Sequence, residues 1–216
     1  LATSLIGLFN QPKKVYIDID TWKTLPERQI SSGLAETIKH ACIADEELFN
    51  YLEANIEKIL ANDKEACEYI AEHNCSVKYK VVMKDERESG LREVLNLGHT
   101  VGRAIETVSD YNLLHGEAVA VGLVAQARLG EKYGFISHEN VQRVINLCVR
   151  AKLPVNIPPY IDRNALIRKL YTDKKVRDGK LRMVFQKEIG EVMCFGDNDY
   201  AKQIAEPEIA QVIFEM

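Results

Sequence analysis

The sequence predicts a mainly α-helical fold: a multi-helical bundle with a short strand near the N-terminus and a small β-hairpin near the C-terminus. Three observations carry this. Apolar residues recur at helical spacing through much of the chain, as in Leu34, Ile38 and Cys42, the period of a half-buried helix. Residues 118–133 are rich in Ala, Gly and Val, the composition of a helix buried on all sides within a bundle. Strand signals are confined to residues 13–19 and to the pair 180–186 and 190–195.

Taken in order, KKVYIDI at 13–19 alternates and carries Val, Tyr and Ile after a turn at Gln11-Pro12, which suits a strand. Pro26 followed by Glu27 marks a helix start. Residues 45–54 and 56–69 read as two amphipathic helices sharing the stripe Leu48, Leu52, Ile56, Ile59 and Leu60. A long Lys-rich helix follows over about 68–83, with Ile70, Val77, Val81 and Val82, and Ser89-Gly90 ends the pattern. Asp85, Glu86 and Glu88 read as a helix-end charge run, with Glu88 four residues before Arg92 and placed to orient it. A new helix begins near His99. Gly134 caps the small-residue helix, and Ser137 is the N-cap of the next, which runs to about Lys152. Residues 153–159 form a linker, Asp162 caps a helix over 163–171, strands 180–186 and 190–195 turn through Gly190, and 207–215 is a last amphipathic helix.

A chain of 216 residues supports one sizeable core. A net charge of −4 gives no basic field for nucleic acid. Five cysteines lie scattered without a CxxC pair, the usage of reduced thiols in a cytoplasmic protein. No apolar run approaches the roughly 20 residues that span a bilayer. The opening LATSLIGLF has neither an initiator Met nor a basic segment, so it reads as part of something longer, or processed, rather than as a signal peptide.

The chemistry gathers at three places. His99 follows Leu-Asn-Leu-Gly, and His115 precedes Gly-Glu-Ala-Val-Ala-Val-Gly; Glu36 sits in Ser-Gly-Leu-Ala-Glu-Thr-Ile-Lys-His. Small residues let backbones approach a ligand, and two histidines with one carboxylate and an open position make a catalytic zinc pattern. On the residues alone, His99 as a helix cap and His115 in a polar core niche stays open. Lys39 lies one turn after Glu36, facing the same way; a surface lysine paired with a nearby acid is the alternative. His40 and His73 lack such surroundings and read as surface or interface residues. His138 falls in an exposed first turn.

The segments GLAETIK, DERESGLREVLNLGHT, LHGEAVAVG and DKKV, in this order and spacing, resemble the C-terminal, metal-binding part of the 3-dehydroquinate synthase family. The resemblance implies zinc or cobalt held by Glu36, His99 and His115. It implies substrate binding by Lys39, Lys78, Arg92, Asn96, Lys174 and Lys175, with Lys39 also catalytic and Lys174 and Lys175 not told apart. It implies NAD bound mainly by a preceding nucleotide domain. Residues 1–20 would then be a remnant of that domain, and 21–216 the helical metal- and substrate-binding domain. The implied enzyme is a cytoplasmic homodimer of the shikimate pathway. It would eliminate phosphate from a seven-carbon keto-sugar acid phosphate and close the ring, and this chain alone would be inactive.

Two departures from the family pattern stand out. GHTVGRA puts Arg103 where the family has a second histidine, and Ala2-Thr3-Ser4 stands where it has Gly-Lys-Asn. An arginine cannot shuttle a proton. Arg103 either points inward as a fixed cation for the substrate, the placement favoured, or turns out to pair with Glu106. These changes leave three rivals: another NAD-dependent sugar-phosphate cyclase, a metal-dependent polyol dehydrogenase, and a helical scaffold without catalysis.

Overall fold

The computed structural model describes residues 10–86, 90–171 and 181–216. Its helices are α1 (Glu27–Ala44), α2 (Glu46–Leu60), α3 (Lys64–Lys84), α4 (His99–Val108), α5 (His115–Lys132), α6 (His138–Arg150), α7 (Arg163–Leu170) and α8 (Glu206–Glu215). Short strands β1 (Leu181–Val184), β2 (Gln186–Glu188), β3 (Glu191–Val192) and β4 (Ala201–Ile204) and two 3₁₀ turns, Ile19–Thr24 and Leu91–Asn96, complete the described elements. The caps follow the sequence. Carboxylates of Asp45, Asp63 and Asp162 accept from the first turns of α2, α3 and α7, and the Ser137 hydroxyl does so for α6, satisfying backbone donors that a helix start leaves open.

Helix α5 divides the interior. Val119, Ala120 and Leu123 face a core built with α1, α2 and α6, through Ile38, Phe49, Leu52 and Leu147. Val121, Val124 and Leu129 face a second core with α4, α7, α8 and β1, through Ile105, Leu166, Ile213 and Leu181. An apolar helix with small residues all round can serve two cores at once.

Two glycines set how closely the neighbours approach. A Cβ on Gly122 would lie 1.9 Å from the Gly98 carbonyl oxygen, and one on Gly116 would lie 1.8 Å from that of Ser32. Both are backbone contacts that no side chain permits, so α4 and α1 meet α5 almost backbone to backbone.

The structure corrects several expectations. Residues 13–18 form no strand, and the first regular element among the described residues is a 3₁₀ turn at Ile19–Thr24. A strand needs a ladder partner, no described strand pairs with this segment, and Val15 and Tyr16 are 67% and 81% exposed. The break between the second and third helices lies at 61–63 rather than at Asn55. Asn55 stays helical and donates back to the Tyr51 carbonyl, whereas Asn62 takes a left-handed φ of 57°, which Asn tolerates better than most residues. The expected hairpin is split in two. β2 and β3 do pair through Gly190, but β1 pairs antiparallel with β4, Leu181 opposite Ile204. Asp85 is not a solvated charge. It is buried, and its carboxylate accepts from the backbone N–H of Gly90 at 2.8 Å and of Arg92 at 2.9 Å. Glu88, Lys174, Lys175 and Ala2-Thr3-Ser4 lie outside the described residues.

Candidate metal site

The three donor side chains come from three helices that the glycine contacts draw together. Glu36 is in the middle of α1, while His99 and His115 are the first residues of α4 and α5. One donor atom from each lies within 4.8 Å of the others. Glu36 Oε1 is 3.4 Å from His99 Nε2 and 3.4 Å from His115 Nε2. Among the described residues it is the only metal-competent cluster of three such groups.

The hydrogen bonds around the cluster orient it. His99 Nδ1 faces the Leu97 carbonyl at 3.2 Å, and His115 Nδ1 faces Glu106 Oε2 at 3.1 Å. Both oxygens accept, so both Nδ1 atoms carry hydrogen, and a neutral ring then turns a lone pair on Nε2 toward Glu36. Glu36 Oε2 accepts from Lys39 Nζ at 2.6 Å. Glu36 Oε1 is buried without a hydrogen bond; its 3.4 Å approach to the rings is an electrostatic contact only. Two nitrogen lone pairs and a bare carboxylate oxygen converging on one point fit a divalent cation.

Titration follows the same geometry. Burial pushes the Glu36 carboxyl upward, but His115, Lys39 and His99 outweigh it and hold the pKa well below the carboxylate range. Burial and the Lys39 charge push His99 down to about 3, against the pull of Glu36, so its ring is neutral. His115 is raised, first by Glu36 and also by Glu106, against burial. Burial lowers the Lys39 ammonium while Glu36 supports it.

Of the predicted cations, Lys39 is buried against Glu36, and exposed Lys78 on α3 and Arg103 on α4 both act electrostatically on it. The three therefore share one neighbourhood. The outward pairing of Arg103 with Glu106 is not formed. Glu106 turns to His115, and among the described residues no carboxylate forms an ion pair with Arg103. Arg92 donates from Nη1 to the Glu86 carbonyl at 2.6 Å, and Asn96 closes the 3₁₀ turn Leu91–Asn96, half-buried, just before His99.

Of the two histidines expected at a surface or interface, His40 departs from that reading and His73 is part-exposed. His40 is buried, its Nδ1 is 2.6 Å from Asn74 Oδ1, and desolvation brings its pKa down to about 4. His73 is half-buried, pairs with Asp45 at 2.9 Å and stacks on Tyr69. His138 does lie exposed, beside Glu131.

Sequence reasoning missed the groups that brace the site. Arg28 Nε and Nη2 donate to the two oxygens of Glu117 at 2.6 Å each, tying α1 to the start of α5. Gln126 accepts from the Gly98 N–H and donates to the Val184 carbonyl. Each pairing joins elements far apart in sequence, and no local pattern announces it.

Comparison with known proteins places this geometry in a family. The 3-dehydroquinate synthase C-terminal family model matches residues 33–176. The chain is 45% identical to a 3-dehydroquinate synthase of Acetivibrio thermocellus over 93% of its length. It is 48% identical to one of Methylococcus capsulatus over 87%. It spans only 56% and 53% of those relatives, about half their length. Two solved structures share the fold. A 2-epi-5-epi-valiolone synthase from Streptomyces hygroscopicus with NAD⁺ and Zn²⁺ bound aligns with a TM-score of 0.80 at 24% identity, over 92% of this chain and 54% of its own. A 2-deoxy-scyllo-inosose synthase complexed with carbaglucose-6-phosphate, NAD⁺ and Co²⁺ aligns at 0.82 and 21%, over 92% and 55%. The chain belongs to the 3-dehydroquinate synthase family, within the region its C-terminal model describes.

Proposed function

We propose that this chain is the metal- and substrate-binding part of a 3-dehydroquinate synthase. That enzyme eliminates phosphate from a seven-carbon keto-sugar acid phosphate and forms the carbocycle, with NAD held mainly by a further domain. Residues 1–20 belong to the edge of that nucleotide domain and 21–216 to the helical one. The observation that carries the reading is Glu36 Oε1, buried, without a hydrogen bond and faced by two Nε2 atoms.

Glu36, His99 and His115 would hold zinc or cobalt, which supplies Lewis-acid polarisation of a substrate oxygen. Lys39, tied to Glu36 and with its ammonium pKa lowered, is placed to hold a substrate oxygen or pass a proton. Lys78 and Arg103 bring positive charge to the same neighbourhood, suited to phosphate and carboxylate. Arg92, Asn96, Lys174 and Lys175 complete the proposed anion contacts. The protein would act in the cytoplasm as a homodimer; among the described residues no helix is long and apolar enough to cross a membrane.

The test is metal content. The intact protein should retain a stoichiometric divalent ion after dialysis against a weak chelator, and His115→Ala should lose it. Undiminished metal in that variant refutes the ligand set. Arg103, in place of the family's histidine, supports a second reading, a cyclase for a different sugar phosphate. Turnover by the intact protein across several sugar phosphates, with NAD⁺ present, separates the two.

A further inference from the structure

We propose that Glu106 is the positioning residue of the ion site, the carboxylate that aims His115. The inference rests on the metal reading above and adds a residue outside its ligand set. The two histidines are held very differently. The side chain of His99 is 10% exposed and fixed by packing and by the Leu97 carbonyl, whereas that of His115 is 47% exposed. At the start of α5 the His115 ring meets His99 edge-on and turns Nε2 toward Glu36, and its one hydrogen bond, on the Nδ1 side, is what holds it in that orientation.

That bond goes to Glu106, whose side chain is only 17% exposed and whose Oε2 lies 3.1 Å from His115 Nδ1. Glu106 stands on α4 two helical turns after His99, on the same face. One helix thus presents a donor at its first residue and, further along, the acceptor that orients the donor of the next helix. The choice of partner is specific. Arg103 lies one turn earlier on α4, within reach of a helical ion pair, yet Glu106 pairs with the imidazole. A carboxylate on Nδ1 fixes the tautomer, leaves Nε2 free to coordinate and raises its basicity; losing such a partner typically costs 10- to 100-fold in metal affinity.

The experiment uses the intact protein and reads zinc and cobalt affinity by competition with a chromophoric chelator. Glu106→Ala should bind each ion roughly 10- to 100-fold more weakly. Glu106→Gln, whose amide oxygen can still accept from Nδ1, should recover most of the loss. In the zinc-loaded parent, ¹⁵N NMR should find the His115 proton on Nδ1. Parent-like affinity in the Ala variant, no recovery in a Gln variant that melts like the parent, or a proton on Nε2 would each overturn the proposal. The NMR measurement stands even where the Ala variant fails to fold. A parent protein that takes up neither ion defeats the metal reading itself, whereas a parent that binds and an Ala variant that binds equally well defeat only the role of Glu106.

Discussion

The seam between α4 and α5 and the seam between α2 and α6 are built by opposite means. At the first, backbone meets backbone: Gly122 lies against the Gly98 carbonyl and Gly102 against that of Ala118. At the second, Phe49 and Leu52 pack with Val144 and Leu147. Its margin is closed by Arg143–Glu53 and Arg150–Glu57 pairs in contact with solvent. The difference reflects what each seam must achieve. Burying apolar surface needs only volume, which side chains of several shapes supply. Bringing three donor atoms together from three helices needs backbones close enough for short side chains to meet. The donor end therefore has little tolerance, and the apolar end has much.

The comparison breaks most visibly at Gly122. Gly122→Ala places a Cβ where the Gly98 carbonyl stands and must push α4 off α5. Overpacking of this kind costs about 1–3 kcal/mol, occasionally more, and a backbone obstacle puts this case at the upper end, about 3 kcal/mol. Chemical denaturation of the variant checks it. Gly33 on α1, with nothing within 4 Å of its notional Cβ, is the internal control, because Gly33→Ala should stabilise by roughly 0.5–1 kcal/mol through helix propensity.

The next effect sharpens the contrast through pH. His40 on α1 titrates at about 4 in the folded protein against an ordinary 6.5. Between those values the unfolded chain carries a proton at this position that the folded one excludes, so stability falls with falling pH across that window and levels off below it. The shift sets a ceiling of roughly 3 kcal/mol. Denaturation of the parent and of His40→Asn at pH 7 and pH 4 should show a shallower loss in the variant. The smallest effect belongs to the apolar seam. Arg150→Ala removes a pair open to solvent and should cost less than about 1 kcal/mol, and still less in high salt.

What the sequence made legible follows the same division. The stripe Leu34, Ile38 and Cys42, the caps at Asp162 and Ser137 and the small-residue helix α5 were readable because each is a local pattern with one physical cause. Glu36, His99 and His115 were joined into one set only by the family resemblance, since their small-residue surroundings alone left a helix cap and a polar niche open; the structure brings a donor atom of each within 4.8 Å of the others. What escaped depends on partners distant in sequence. Residues 13–18 have strand composition but no described ladder partner. β1 pairs with Ala-Lys-Gln-Ile, a segment with little strand propensity of its own. His40 looked like a surface residue because nothing local predicts that α3 will cover it with Asn74. Arg103 and Glu106 are one turn apart, and although an inward Arg103 was the favoured placement, nothing local announced that His115, arriving from the next helix, takes the Glu106 carboxylate.

The contact of Gly116 with Ser32 has a consequence in chain entropy. The two residues lie 84 positions apart, and closing a loop of that length costs roughly 4 kcal/mol before any contact compensates it. Glu36 stands just inside one end of that loop and His115 just inside the other. An ion shared between them would clip the loop shut where α1 meets α5, a removable cross-link joining α1, α4 and α5 through three side chains.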